Sequence, residues 1–245
     1  MKKSLLTLLL SFLLTQLFAQ KFEISAQANS GLFHYSGISS AAVSSINEGS
    51  NDKLNYTNNP YGSKNAFSYG VDIQGQYICE SGFIVGLEAG YEILRSKVDI
   101  NTYYPWAIYL LYANYNGLPP QIPVKGQTFL QDQNININPY VGYRVKLTYV
   151  KIDLMPGVDL GFNINSYDKG KATDNAGAIY RTNLKKTNVP TDVRLRFGAA
   201  AFYKRFGITA SYAHGLTNFD KNITGDGTYI VHSELLRFGI SYRII

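Results

Sequence analysis

Residues 235–245, the last stretch of the chain, constrain its fold more than any other segment. Alternate residues there are apolar, and the positions between them hold arginine, glycine or serine. Because successive side chains of a β-strand point to opposite faces, the stretch predicts a strand with one apolar and one cationic face. A soluble β-sandwich rarely places two arginines on the inner face of its final strand. A transmembrane β-barrel can do so, since its apolar face contacts lipid and its polar face lines the lumen.

The same stretch resembles the C-terminal insertion signal of outer-membrane β-barrels. That signal holds a polar residue, a glycine, an aromatic residue and a hydrophobic residue at fixed spacing, and these positions are occupied by Arg237, Gly239, Tyr242 and Ile244. The chain departs from the pattern by ending in Ile245 where many such proteins carry phenylalanine. The resemblance implies recognition by the barrel assembly machinery during insertion.

The N-terminus predicts export. Lys2 and Lys3 precede an apolar run from Leu5 to Leu14, and Ala19 stands at a suitable cleavage position. This order is typical of a secretory signal peptide, which we place at residues 1–19. The apolar run is shorter than the roughly 20 residues that a membrane-spanning helix needs. Residues 20–245 then form one outer-membrane β-barrel domain.

Composition excludes several other classes of protein. No later run reaches the roughly 18 apolar residues of a transmembrane helix, and the mean hydropathy is −0.12, as expected for alternating barrel strands. The formal net charge of +6 is too small to indicate a nucleic-acid partner. Cys79 is the single cysteine, so no internal disulfide can form.

Eight segments of alternating polarity are separated in turn by short turns and long polar loops. The predicted strands span 22–35, 67–79, 83–93, 135–146, 152–164, 192–203, 206–216 and 235–245. Long loops are predicted at 37–65, 100–132 and 166–188 and before the last strand, and Pro156 predicts a bulge or bend in the fifth strand. The sequence therefore predicts an all-β fold, an eight-stranded antiparallel up-and-down transmembrane β-barrel with short periplasmic turns and long extracellular loops.

The whole mature chain resembles small outer-membrane barrels of the OmpX or PorT-like type, on the strength of the terminal motif and the loop asymmetry. The resemblance implies the outer membrane of a Gram-negative bacterium, with outer-membrane lipid and lipopolysaccharide as neighbours. A PorT-like protein would also support a secretion system, and a protein partner would meet the extracellular loops.

The predicted inner face carries equal numbers of acidic and basic residues. The acids are Glu23, Asp72, Glu88, Glu92, Asp153 and Asp159, and the bases are Arg144, Lys146, Arg194, Arg196, Arg237 and Arg243. An eight-stranded barrel leaves an interior just wide enough for side chains, and buried charges persist only in pairs. We expect an ion-pair network across the lumen; the alternative, an ion-selective channel, would favour one sign of charge in a wider barrel.

Two loops are candidates for interaction. The second long loop holds an aromatic cluster, namely Tyr103, Tyr104, Trp106, Tyr109, Tyr112 and Tyr115. Such residues dominate protein interfaces, and they also fold over barrel mouths or enter the lipid headgroup layer. The third loop has an excess of lysine and arginine, which would suit lipopolysaccharide phosphates or an acidic partner, or would be a solvated charged loop.

The sequence carries no nucleophile elbow, metal-spaced His/Cys cluster or phosphate-binding glycine loop, so we expect no enzyme and no cofactor. One alternative remains at the outer rim, where apolar phase places five side chains on the lipid side: His34, Ser36, His214, His232 and Glu234. His34 and Ser36 resemble the His-x-Ser pair of outer-membrane lipid A deacylases. In that family the pair lies on the penultimate strand, whereas here Leu216 follows His214 by two residues.

The favoured function is thus a non-enzymatic outer-membrane barrel with a side-chain-filled lumen. It would act through its extracellular loops in envelope interaction, adhesion or secretion-system support. The competing function is a lipid-modifying hydrolase at the rim.

Overall fold

The computed structural model describes residues 21–49, 54–105, 121–220 and 228–245, so the predicted signal peptide lies outside the described residues. The described chain forms the strands β1 (Lys21–Ser36), β2 (Val43–Asn47), β3 (Tyr56–Thr57), β4 (Lys64–Ile78), β5 (Phe83–Tyr104), β6 (Ile122–Lys146), β7 (Val150–Asp174), β8 (Ile179–Lys186), β9 (Asp192–Tyr203), β10 (Phe206–Gly215) and β11 (His232–Arg243). Within the described ranges, no helix has the length and apolar character needed to cross a bilayer.

Eight of these strands close into a ring of antiparallel neighbours. The order around the ring is β1, β4, β5, β6, β7, β9, β10 and β11, and β11 pairs with β1 from Ser25↔Arg243 to Ser36↔His232. Three short turns join strands at the end where β1 begins and β11 finishes, as the sequence indicated. The predicted eight-stranded up-and-down barrel is confirmed.

The ring is stable because its wall has a lipid face and a lumen face. Side chains at alternate positions point outward and are apolar; mid-strand examples are Ile73, Ile208 and Ile240, which are 64%, 67% and 68% exposed. Such exposure would be costly in water but matches the hydrocarbon layer of a membrane. The residues between them point inward and are mostly polar and buried. We call the outward apolar band the lipid belt.

Three strands run much further than predicted. The loop predicted at 100–132 contains the end of β5 and the first part of β6, and the loop predicted at 166–188 contains the end of β7 and all of β8. The loop predicted at 37–65 likewise contains β2 and β3. The sequence pattern suggested loops because the outward residues change from apolar to polar there. The alternation itself continues, with the apolar residues now on the inward face. Above the lipid belt the inward residues of β5, such as Val98 and Ile100, are apolar and buried, and outward residues such as Lys97 are charged.

These continuations build a second structure that we call the extracellular sheet. It comprises β2, β3, β8 and the outer parts of β5, β6 and β7, with β2 parallel to β5 and β8 antiparallel to β7. A tilted strand crosses a membrane with about 10 residues, whereas β6 has 25, which is roughly 80 Å of strand. The sheet has its own apolar core, consisting of Ile46, Val98, Ile100, Tyr103, Val124 and Ala172.

The bulge expected at Pro156 is absent. The β7–β9 register passes through Pro156↔Phe197 without a shift, and the shift between β6 and β7 lies instead between Gln133 and Asn134. Pro156 belongs to the outward apolar set of β7. Its missing N–H removes one ladder hydrogen bond, but this needs no extra residue in the strand.

Changing Tyr242 and Ile244 together to aspartate is expected to block barrel assembly. Both side chains face lipid at the end of the closing strand, where a charge costs up to about 2–4 kcal/mol, and less near the rim. The measurement is heat-modifiable gel mobility together with protein yield in the outer-membrane fraction. Leu147→Asp with Tyr149→Asp is the matched control, because both residues lie exposed at a short turn. A wild-type gel shift in the Tyr242/Ile244 variant would contradict the role given to the terminal strand.

Candidate functional site

The lumen contains charged side chains with almost no solvent contact. Glu23, Asp153, Asp159 and Arg194 are each 0% exposed. Removing an ion from water costs several kcal/mol, and only a close opposite charge with good hydrogen bonds offsets that cost. The partners of these residues therefore decide whether the lumen is a filled core or a path for ions.

The first group of partners, the inner ionic cluster, lies towards the periplasmic end and consists of Glu23, Arg144, Asp153 and Arg243. Arg144 donates from Nη2 to Glu23 Oε2 at 2.8 Å and from Nε to Asp153 Oδ1 at 2.6 Å. Arg243 Nε lies 2.8 Å from Glu23 Oε2. Because β1 and β6 are far apart around the ring, the Glu23–Arg144 pair ties opposite walls of the barrel together.

The second group, the outer ionic cluster, lies nearer the extracellular end. Arg194 Nη2 is 2.6 Å from Glu92 Oε1, and its Nε is 3.2 Å from Asp159 Oδ2. Arg237 Nη2 contacts the same two carboxylates, Glu92 at 2.5 Å and Asp159 at 2.9 Å. Asp192, which the sequence analysis did not include, lies 3.7 Å from Arg194 Nη1. The sequence could have predicted this position, because residues two apart on a strand, such as Asp192 and Arg194, point to the same face.

Other members of the predicted network have different surroundings. Arg196 pairs with Glu88 at 2.5 Å between the two clusters. Asp72 faces the lumen, and no described residue places a cation within ion-pair distance of it; it accepts hydrogen bonds from the side-chain amides of Asn29 and, at 3.2 Å, Asn136.

Lys146 does not join the network. It is the last residue of β6, where the strand leaves the barrel, and its side chain is exposed opposite Lys151 without an ion pair to any described residue. An ammonium at the water-exposed rim needs no buried partner, so the alternation that placed it inside does not apply there.

Apolar residues close both ends of the lumen. At the outer end Phe33, Tyr35, Leu94 and Leu235 pack with Leu130, Ala213 and Val231 into a buried group that we call the outer cap. At the inner end, a smaller cluster combines Ile78, Ile84 and Tyr140. The lumen cavity lined by Asp72, Glu92 and Arg237 has a volume of about 10 Å³, enough for roughly one water molecule. Across the described residues, the lumen is a core and not a pore.

The residues of the insertion-signal resemblance divide between the two faces of β11. Tyr242 and Ile244 point to lipid, Arg237 belongs to the outer ionic cluster, and Gly239 faces the lumen. A Cβ at Gly239 would collide with the Asn29 amide and the Thr209 hydroxyl. The same Cβ would lie 2.9 Å from the Ala28 carbonyl oxygen, so a larger residue would require β1 to shift slightly as well as the two side chains.

The rim residues of the hydrolase alternative do meet, but not as a catalytic triad. Ser36 Oγ donates to Glu234 Oε1 at 3.1 Å, and His214 Nδ1 lies 2.7 Å from the same oxygen. A triad needs the serine on the ring nitrogen that the carboxylate does not hold. Here Ser36 bonds the carboxylate directly, and none of its described hydrogen bonds reaches a histidine. His232 Nδ1 contacts the carbonyl of Thr217 at 3.0 Å.

The fifth rim residue, His34, pairs with Glu234 in the β1–β11 register, yet its Nδ1 is buried with no partner among the described residues. The Tyr212 hydroxyl instead takes the second oxygen of Glu234. The carboxylate is thus saturated by neighbouring donors, which favours a structural tie between β1, β10 and β11 at headgroup height.

The aromatic loop residues are only partly within the described chain. Tyr103 is buried in the core of the extracellular sheet, and its ring stacks on Tyr180 at a centroid distance of 3.9 Å. It therefore supports the sheet and is not a free contact residue, because β5 continues through it. Tyr104 ends β5 and is half-buried. The other four, Trp106, Tyr109, Tyr112 and Tyr115, lie outside the described residues.

A buried polar contact fastens β3 to the extracellular sheet. The Thr57 amide N–H donates to Asp168 Oδ2 at 2.6 Å, and the Thr57 hydroxyl donates to Asp168 Oδ1 at 2.8 Å. Burial raises the pKa of Asp168, while these donated hydrogen bonds lower it and partly offset the effect. The contact joins β3 to β7 across the interior, so the sheet curves around its core.

A closed eight-stranded ring with an outward lipid belt and a filled lumen defines an integral outer-membrane β-barrel. A family model described as "Outer membrane protein beta-barrel domain" matches residues 18–221, and the chain belongs to this family. No curated protein sequence matches the chain.

Solved structures with similar folds include two small barrels. One is Ail, the attachment invasion locus protein of Yersinia pestis, with 14% identity, a TM-score of 0.36, and coverage of 91% of this chain and 99% of that chain. The other is Neisserial surface protein A (NspA), with 13% identity, a TM-score of 0.34, and coverage of 89% and 96%.

Replacing Arg194 with methionine is expected to destabilise the barrel by about 3–5 kcal/mol, because Glu92, Asp159 and Asp192 would keep one cation fewer in the closed lumen. Urea unfolding of protein reconstituted in lipid vesicles measures the change. Lys146→Met removes the same charge at the exposed rim and should alter stability by less than about 0.5 kcal/mol. Equal losses in the two variants would contradict the ionic clusters as the basis of lumen stability.

Proposed function

We propose that this protein is a non-enzymatic surface platform of the outer membrane. The filled barrel anchors the extracellular sheet, through which the protein acts in envelope interaction, adhesion or secretion-system support. One observation carries the proposal: β5, β6 and β7 pass from the lipid belt into the extracellular sheet as unbroken strands of 22, 25 and 25 residues. Such strands hold an external surface at a fixed height and orientation.

The interior of the barrel supports this proposal. Its arginines are paired with carboxylates, its two ends are closed by apolar clusters, and the cavity beside Asp72 has room for roughly one water. A transport protein of this fold would need an open lumen or one sign of charge along it. The exposed functional surface is therefore the outside of the extracellular sheet.

The geometry at the rim also favours a non-enzymatic role. Glu234 engages Ser36, Tyr212 and His214, and the serine lies on the carboxylate side of the imidazole. Because none of its described hydrogen bonds reaches a histidine, Ser36 lacks the imidazole base of an esterase triad. This arrangement supports interfacial anchoring over ester hydrolysis.

The outward face of the extracellular sheet is strongly basic just above the lipid belt. Successive rows across β5, β6, β7 and β8 carry Arg95, Lys97, Lys169, Lys171, Arg181 and Lys185, all outward-facing and at least partly exposed. The described acid in these rows is Asp99, which Lys64 already neutralises. We call this surface the basic face. Its height is that of lipid phosphates and inner sugars, so its proposed partner is the phosphorylated part of lipopolysaccharide.

The charge of the basic face provides the test of this partner. Replacing Arg95, Lys97 and Lys169 with glutamine is expected to weaken lipopolysaccharide binding about 100-fold at low salt, since each cation near an anionic surface contributes about 1 kcal/mol. Binding of the protein in nanodiscs to purified lipopolysaccharide measures the effect, and added salt should reduce the difference.

A control with the same charge change uses the opposite end of the barrel. Lys151, Lys204 and Arg205 lie at or next to the short turns, and their glutamine variant should bind like the wild type. If both triple variants lose the same affinity, the partner responds to total charge and the basic face is not its site.

Planar-bilayer recordings are expected to show no stable open channel. The reason is the closed lumen, in which Glu92, Asp159, Arg194 and Arg237 occupy the cross-section as ion pairs. A general porin reconstituted in parallel checks that the bilayer reports open channels. Steady ohmic currents from the wild-type protein would contradict the platform proposal.

A further inference from the structure

A polar pocket opens on the extracellular side of the outer cap, away from the basic face. It is lined by residues 38–40, residues 58–61, Lys186, Asp220 and Tyr229, and its volume is about 460 Å³. Binding sites for small molecules commonly measure about 300–1,000 Å³. Its lining combines apolar and polar groups, unlike the lipid-facing groove at the opposite end of the barrel, which is almost wholly apolar.

The floor of the pocket is rigid. Tyr61 packs edge-on against the buried Tyr35 ring at a centroid distance of 5.1 Å, and its hydroxyl donates to the Phe219 carbonyl at 3.4 Å. Asn59 fixes the neighbouring loop by donating to the Ser39 carbonyl at 2.7 Å. The Lys186 Nζ lies 4.7 Å from the centre of the Tyr61 ring, so ammonium and ring are held together.

Three polar groups of this pocket make no ion pair or hydrogen bond to a described residue: the Lys186 ammonium, the Asp220 carboxylate and the Tyr229 hydroxyl. The ammonium contacts the Tyr61 ring only by its cation–π interaction. Burial lowers the pKa of Lys186, which the carboxylates of Asp168, Asp132 and Asp220 partly offset, and burial raises the pKa of Asp220, which Lys186 partly offsets. A hydroxyl group both donates and accepts hydrogen bonds, so the hydroxyl groups of a ligand could accept from the Lys186 ammonium and donate to the Asp220 carboxylate.

The charge balance selects among ligands. One ammonium and one carboxylate face the same space, so a large anion would meet Asp220 and a large cation would meet Lys186. A neutral ligand with many hydroxyls meets a donor, an acceptor and an aromatic surface at once. Tyrosine rings combine an apolar face with a polar tip, which suits the C–H face and hydroxyl edge of a sugar ring.

We infer that the pocket formed around Tyr61, Lys186, Asp220 and Tyr229 binds a neutral saccharide unit. The inference rests on the proposed function, because it requires this end of the barrel to face the exterior. It adds to the platform a second contact, which takes a ligand without net charge. The saccharide belongs either to the cell's own lipopolysaccharide chain or to a glycan on another surface, and the chemistry of recognition is shared.

The test uses the full mature chain in nanodiscs. The probes are the methyl glycosides of glucose, galactose, N-acetylglucosamine and glucuronic acid, followed by saturation-transfer NMR and titration calorimetry. At least one neutral glycoside is expected to bind, in preference to the glucuronide and independently of salt. Lys186→Met and Asp220→Asn should each weaken binding about 10-fold through the loss of charge-assisted hydrogen bonds.

Two further variants separate binding from folding and from total charge. Lys125→Met removes an exposed cation on β6, outside the pocket and the basic face, and should bind like the wild type. Tyr229→Ala removes a ring whose backbone stays fixed by the Asn218 side-chain amide at 2.7 Å, and it should abolish binding while preserving heat-modifiable mobility.

Two glycan sources then identify the natural ligand class. Oligosaccharide released from the producing cell's lipopolysaccharide is compared with a printed array of glycans from other sources, and binding to either one supports the pocket. No binding to any neutral saccharide, an equal loss in Lys125→Met, or preference for the glucuronide overturns the inference. If the wild-type protein binds no saccharide but still binds lipopolysaccharide through the basic face, the pocket inference is wrong and the proposed function is unaffected.

Discussion

A charge inside a closed eight-stranded barrel must be met by an opposite charge or by hydrogen bonds from other strands, and the structure depends on this requirement. The interior is too narrow for bulk water, so an arginine such as Arg194 cannot hydrate its guanidinium. It contacts Glu92 and Asp159 from β5 and β7 instead, while Arg144 does the same with Glu23 and Asp153. The polar lumen is thereby filled and buried like an apolar core. The apolar side chains of the strands can therefore all face outward to lipid.

The same strands pass from the lipid of the membrane into the water outside it. Within the lipid belt β5 turns Tyr91 outward and Glu92 inward, and a few residues later it turns Lys97 outward and Val98 inward. From Tyr91 to Ile100 the two-residue period continues unbroken, and only the assignment of apolar side chains to a face is exchanged. Near Leu94 lipid gives way to water on the outside, and ion pairs give way to an apolar cap on the inside. The height of the membrane is therefore encoded by the position of this exchange along each strand.

This exchange also explains which features the sequence could predict. The closing strand, the number of strands and the ring order follow from outward apolar alternation, which is strong from Phe206 to Ile244. The extracellular sheet could not be predicted in the same way. Its outward residues are polar, and its inward apolar residues pack against residues far away in the sequence. Val124, for example, packs with Ile46 and Ala172, and no local pattern links those positions.

The candidate sites were likewise predictable where they depend on side-chain alternation and not where they depend on contacts between distant segments. Side-chain direction was correct for the arginines of the lumen but not for Lys146, since alternation does not show where a strand leaves the barrel. Asp72 was placed inside correctly, but its amide partners depend on the three-dimensional arrangement of β1 and β6. The saccharide pocket joins loops from four parts of the chain, and its existence depends on how they converge over the outer cap.

The pairing of β1 with β11 joins the first and last parts of the barrel to be synthesised. Arg243 reaches Glu23 on β1, and Arg237 reaches Glu92 on β5. A sheet without β11 therefore keeps Arg144 on Glu23 and Arg194 on Glu92 but lacks the second cation at each carboxylate. The same strand supplies the last row of backbone hydrogen bonds, so barrel closure and charge balance in the lumen are completed by one segment of the chain.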